Sequence, residues 1–256
     1  MMPGAVLKSD ETPALPCGAA LFCAPLALHR IPPVSFLDDL KRQADALKAQ
    51  QTGDTAALAR NTALTEAACK TVFSYFTTLA PQLDVLRPAS TARFTLDRQN
   101  VLERLPLTDF RVDSRKKKLR DEDVFDFLVM HWQLKSGCEL QLFKDFLPDM
   151  EKLESKLHQS GAKFENEAVR DAVTGKLQGR RYTFTADFFG LVRVTPQHDS
   201  GRIHFQLQNL DGFEAISLEL PAIEVGSGRL DELARWIAGH PHGFLKDAQN
   251  LRRVEA

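Results

Sequence analysis

The 256-residue chain is short of cysteine, tryptophan and tyrosine, with four, two and two of each. Cys17, Cys23, Cys69 and Cys138 contain no C-x-x-C pair and no paired framework. That excludes a disulfide-stapled scaffold and a zinc ribbon, and reads as a reduced, intracellular set in which Cys69 and Cys138 act as small buried apolar groups. Charge of one sign is lacking too. The formal net charge of −1 argues against a globally basic nucleic-acid binder.

Long apolar runs are also missing. Pro13 to Leu28 is poor in charge but interrupted by Pro16 and Pro25, and it is too short to span a bilayer. Lys8 is the only basic side chain before it, Asp10 and Glu11 intervene, and no A-x-A site follows, so it does not read as a secretion signal. Residues 1–33 are expected to be a disordered leader, and the protein to be cytoplasmic. There is no G-x-S-x-G elbow, no Walker A loop, no H-E-x-x-H, no internal repeat and no low-complexity tract. No motif requires a cofactor or a metal.

What is present is alternation. Ile203, Phe205 and Leu207 alternate with His204, Gln206 and Gln208, and Ile216, Leu218 and Leu220 alternate with Ser217 and Glu219. A two-residue period marks half-buried strands. Asp211-Gly212 between them signals a tight type I′ turn, which pairs Leu207 with Ile216, Phe205 with Leu218 and Ile203 with Leu220. A slip by one residue would bury Gln206 and His204, so pattern and register agree. Tyr182, Phe184, Ala186 and Phe188 share a parity that Val192 and Val194 continue past Gly190. A loop over Gln197–Ser200 would then set Arg193 opposite His204. The polar face would carry Arg193, His204 and Glu219 in a row.

The remaining elements are read in order. Ser35 caps a helix with the stripe Phe36, Leu37, Leu40, Ala44 and Leu47, and Gly53 ends it. A second helix runs to about Ala80 and completes an αα-hairpin over residues 34–86, docked on a sheet. Its stripe also leaves room for pairing with another copy in a homodimer. Strands follow from Arg93. Residues 115–120, Arg115 through Lys116, Lys117 and Lys118 to Arg120, read as a solvated basic loop neutralised by Asp121, Glu122 and Asp123. Val124 to Leu134 reads as a central strand covered on both faces, paired through Ser136-Gly137 with Glu139–Phe143. Pro148 opens a helix with Met150, Leu153 and Leu157 inward, which Gly161 closes. A last helix carries Leu230, Leu233, Ala234 and Ile237, and residues 243–256 add at most a helical turn.

The expected class is therefore α+β: one curved antiparallel sheet of hairpins, an N-terminal αα-hairpin, a mid-chain helix and a C-terminal helix, with residues 34–256 as one domain. Three functional readings follow. The first is a non-catalytic binding or interaction module whose partner is a protein or a small apolar ligand, lined by Phe184, Phe188 and Phe205. The second is a hydrolase-like site on the sheet face, with His204 as base, Glu219 orienting it, and Arg193 and Asp187 beside them. The third is anion or nucleic-acid docking through Lys116, Lys117 and Lys118. His240-Pro241-His242 reads as a helix-end loop rather than a metal site.

Overall fold

The structure is a computed structural model and describes residues 36–255. The leader over residues 1–33, the Ser35 cap, Cys17 and Cys23 lie outside the described residues. The chain divides into two units, Met1–Lys48 and Ala49–Ala256. In the first, the described residues are helical, and Phe36, Leu37, Leu40 and Leu47 are exposed rather than forming a buried stripe.

Helix α1 spans Phe36–Leu86. It is followed by β1 (Arg93–Thr95), β2 (Val101–Glu103), β3 (Leu107–Leu119), β4 (Glu122–Leu134) and β5 (Glu139–Lys144). Helix α2 (Leu147–Ser160) leads to β6 (Phe164–Arg170), β7 (Leu177–Thr185), β8 (Phe188–Gln197), β9 (Arg202–Gln208) and β10 (Glu214–Pro221). Helix α3 (Ser227–Ile237) and β11 (Gln249–Glu255) complete the order. The fold is α+β, with antiparallel pairing throughout the described strands. Among the described residues no helix is long and apolar enough to cross a membrane.

Several expectations are corrected here. The αα-hairpin is one continuous helix. Gly53 sits within it, because an interior glycine costs only about 1 kcal/mol against alanine. Pro81 does not end it either: Ala80 and Leu83 are buried on the same side, and this packing carries the helix on to Leu86. The stop is Arg87, in the left-handed region (φ 45°), whose N–H bonds the carbonyl of Leu83 at 2.8 Å, with Pro88 next. The single sheet is in fact three: β11-β10-β9-β8-β4-β3, β5-β7-β6, and β1-β2. The expected pairing of β4 with β5 does not form, because β5 pairs with β7 instead. The long run from Tyr182 to Val194 crosses from one sheet to another at Ala186-Asp187. Lastly, residues 249–255 are a strand, β11, paired with β10.

The β9–β10 register is as expected, with Leu207, Phe205 and Ile203 opposite Ile216, Leu218 and Leu220. The turn is not type I′. Asn209 and Gly212 take positive φ (58° and 143°), and the N–H of Asn209 bonds the carbonyl of Glu214. A Cβ on Gly212 would stand 3.0 Å from the carbonyl oxygen of Arg93, so this loop lies against β1. In β4, Leu128, Met130, Trp132 and Leu134 are buried, while Phe127, Val129, His131 and Gln133 are half-buried. From Phe127 to Leu134 one face of that strand is buried and the other half-buried. The buried face joins Cys69, Val72 and Phe76 of α1 and Leu230, Leu233 and Ile237 of α3 in one core. Burial of a leucine- or phenylalanine-sized side chain contributes about 1.5–3 kcal/mol.

Candidate functional site

His204 and Glu219 do face one another across β9 and β10. Arg193 does not join them. The β8–β9 loop occupies residues 198–201, so Arg193 lies opposite Gln206, and Thr195 opposite His204. The shift is by two residues, which keeps Arg193 on the same face but moves it along the sheet. Its guanidinium sits 4.1 Å from the centre of the Phe127 ring, a cation–π contact. Glu219 accepts hydrogen bonds from Gln197 (3.0 Å), Asn250 (2.8 Å) and Arg202 (3.2 Å). Gln197 above all, then Asn250 and Arg202, hold its carboxyl below the usual range against the opposing effect of burial. The carboxylate is thus engaged with those three donors. Asp187 accepts the N–H groups of Ser136 and Gly137 at 2.9 and 3.0 Å, which makes it a turn-holding group. It lies eight residues before Thr195, about 26 Å along the strand.

Lys116, Lys117 and Lys118 are not in a loop. They extend β3, and the turn is at Arg120-Asp121, both left-handed (φ 52° and 65°), as a two-residue type I′ connection requires. Lys117 and Arg115 share Asp126, at 3.1 and 3.8 Å, and Lys116 lies over the Phe125 ring. β3 is the outer strand of its sheet. Lysines there discourage pairing with another sheet edge. Phe184, Phe188 and Phe205 are in the core. Phe188 packs on Phe94 and Phe213, and Phe205 packs edge-on to Phe244. His242 stacks on Trp236, with centroids 4.3 Å apart, and burial lowers its pKa. Cys69 is buried, and burial followed by Glu66 pushes its thiol up to about 12. Cys138 is exposed, contrary to expectation.

The arrangement with the most chemistry is one the sequence did not disclose. A cleft of about 480 Å³ is lined by Leu96, Asp97, Arg98 and Gln99 from the β1–β2 turn, Lys144 from the end of β5, and Asp149, Lys152 and Lys156 from α2. Lys152 and Lys156 are four residues apart and so share a face of the helix. Asp97 organises the rim. One oxygen accepts the N–H of Gln99 and both the N–H and side-chain amide of Asn100, and the other accepts from Lys144 at 2.6 Å. Burial pushes this carboxyl up, but those donors, Lys144 first, outweigh it and hold the pKa at about 2. Lys156 donates to the carbonyl of Thr95 at 2.8 Å. Burial foremost, then Lys152, lowers its pKa.

A second cleft, of about 280 Å³, adjoins the first, with Lys156 in the wall of both. Its other lining is Arg93, Thr95, Asp211, Gly212, Phe213, Glu214 and Glu255.

The Asp97 arrangement gives a pH-dependent prediction. Its folded pKa is depressed, so its stabilisation is present above the ordinary aspartate value of about 3.9 and is lost as the pH falls towards 2. Asp97→Asn should cost on the order of 2 kcal/mol at pH 7. The difference from wild type in urea unfolding should shrink to nothing near pH 2. A constant difference across that range would show that the charge plays no part.

No protein-family model, no curated protein and no solved structure matches this chain.

Proposed function

We propose that the protein is a non-catalytic binding module that takes a small phosphate-like anion in the cleft formed by the β1–β2 turn, the end of β5 and α2. The observation that carries this reading is convergence. Arg98, Lys144, Lys152 and Lys156 reach one cleft from three separate elements, against only Asp97 and Asp149. Lys144 is paired with Asp97; among the described residues, Arg98, Lys152 and Lys156 form no ion pair. Cations held close together repel one another, and an anion between them relieves that repulsion. At Lys156 the charge of Lys152 adds to the larger effect of burial in lowering the pKa. Lysine ammoniums suit a compact, multiply charged anion as point charges.

We propose a cytoplasmic location on separate grounds: the exposed free thiol of Cys138 is compatible with reducing conditions. The anion reading sets aside the His204 hydrolase reading, since Glu219 is engaged elsewhere and Asp187 is distant. The lysines of β3 would take no part.

Titration calorimetry with inorganic phosphate and ethyl phosphate tests it. Saturable binding is expected, falling steeply with added salt. Lys152→Ala with Lys156→Ala should weaken it tenfold or more, whereas Lys116→Ala with Lys117→Ala should leave it unchanged. Absence of saturable binding, or equal binding by the Lys152/Lys156 variant with its far-UV spectrum intact, would sink the reading.

A further inference from the structure

The smaller cleft has the opposite electrostatic need. Glu214 is only 8% exposed, yet its Oε1 is buried with no N–H or O–H donor among the described residues. Its nearest cation, Arg253, stands 3.7 Å from the other oxygen. Glu255 is directly opposite in the β10–β11 pairing, and Asp211, which accepts from Trp236 Nε1 at 2.7 Å, is on the same wall. Burial first, then the charges of Asp211 and Glu255 and the close side-chain approach of Asp211, pushes the Glu214 carboxyl up against the pull of Arg253. A buried carboxylate oxygen with no donor is costly. It is relieved by a proton or by a cationic donor. Neither Arg93, paired with Glu103 at 2.6 Å, nor Lys156, which donates to the carbonyl of Thr95, is bonded to that oxygen. No metal-ligating group of three or more side chains occurs among the described residues, so a coordinated ion does not fit. An ammonium does, because it needs no such convergence: one of its three N–H groups suffices for Glu214.

We infer that the two clefts form one dipolar site, and that its ligand is a small free molecule with a phosphate-like anion at one end and a primary ammonium at the other. The anion lies among Arg98, Lys152 and Lys156, and the ammonium against Glu214. Lys156, in the wall of both clefts, marks the boundary between the poles. This rests on the anion reading of the larger cleft and adds the second pole.

The test compares n-alkyl phosphates with ω-aminoalkyl phosphates of two to six carbons, titrated into the full chain by calorimetry. At the length that spans the clefts, the amine should bind roughly tenfold tighter than its alkyl partner, as a charge-assisted hydrogen bond provides. Glu214→Gln should abolish that gain and leave alkyl phosphate binding unchanged. The same variant reports on folding. Because the native pKa of Glu214 is raised, its ionised form weakens the fold above that pKa and ceases to do so as the pH falls. Glu214→Gln should therefore melt higher than wild type at pH 7, with no difference once the pH is below the ordinary glutamate value of about 4.3.

If alkyl and aminoalkyl phosphates bind equally at every length, the dipolar inference falls and the anion reading stands. If neither series binds, both fall. Equal amine selectivity in Glu214→Gln would also overturn the inference. Co-sedimentation with phosphatidylethanolamine vesicles is not expected, and finding it would replace the free molecule with a lipid headgroup.

Discussion

Replacing Gly190 with alanine should cost about 3 kcal/mol, at the upper end for an overpacked core. Gly190 of β8 pairs directly with Trp132 of β4. A Cβ built on it would stand 2.2 Å from Cε2, 2.3 Å from Nε1 and 2.5 Å from Cζ2 of the indole. The contact is with the body of a rigid ring, not with the end of a flexible chain. The ring has nowhere to retreat, because on the far side of β4 the Phe110 ring of β3 stacks on it with centroids 5.4 Å apart and planes 23° apart. Trp132 is 1% exposed and its Nε1 has no partner, so the indole is held by packing alone. Thermal unfolding checks this, with a fall of roughly 6–12 °C expected at this chain length. Trp132→Leu introduced beside Gly190→Ala should recover part of the loss, since a smaller side chain admits the methyl. A melting point within a degree of wild type for Gly190→Ala would show that the glycine is not where the ring needs space.

A glycine inside a strand pattern such as Gly190 signals a bend, a bulge or a close approach. The structure shows the close approach, and the partner ring lies 58 residues away in the chain, where local pattern has no reach. The same distinction runs through the rest. Residues 202–220 were legible because one face is buried and the other wet, so period and register constrain each other. The loop at 198–201 left two registers open that differ by two residues, and parity cannot separate them. Gly53 carries a stop signal, yet its cost is small enough for the flanking helix to continue through it. β11 left no pattern because every residue in it is exposed, so nothing selects apolar residues at alternate positions. The candidate site was illegible for a related reason. Arg98, Lys144, Lys152 and Lys156 each look like a solvated surface charge in their own segment. Only the packing of α2 against the β1 corner makes them neighbours, and that corner is held by aromatic contacts between distant segments.

Those contacts centre on Phe94, and Phe94→Ala should cost about 3–5 kcal/mol. The ring is fully buried and lies 5.2 Å from Phe188 and 5.2 Å from Phe213. Phe188 and Phe213 lie 5.1 Å apart at 75°, so the three rings contact one another mutually. Each comes from a different place: Phe94 from β1, Phe188 from the start of β8 and Phe213 from the β9–β10 turn. β1 and β2 are three residues each and pair only with one another, so their ladder contributes little by itself. The ring cluster is what fixes β1 on the core. Its sequence neighbours are the cleft walls, with Arg93, Thr95 and Leu96 on one side and Gly212 and Glu214 on the other. Truncation should therefore act twice. In urea unfolding the midpoint should fall with the slope unchanged. At temperatures where the variant is still folded, phosphate binding should also be lost, because Arg98 and Asp97 are no longer held opposite α2. Phe94→Leu, which keeps much of the buried volume, should lose less stability and retain the anion. Wild-type stability in Phe94→Ala would mean that the corner is anchored elsewhere. A destabilised variant that binds phosphate as tightly as before would separate the ring cluster from the cleft and leave α2 alone as the binding surface.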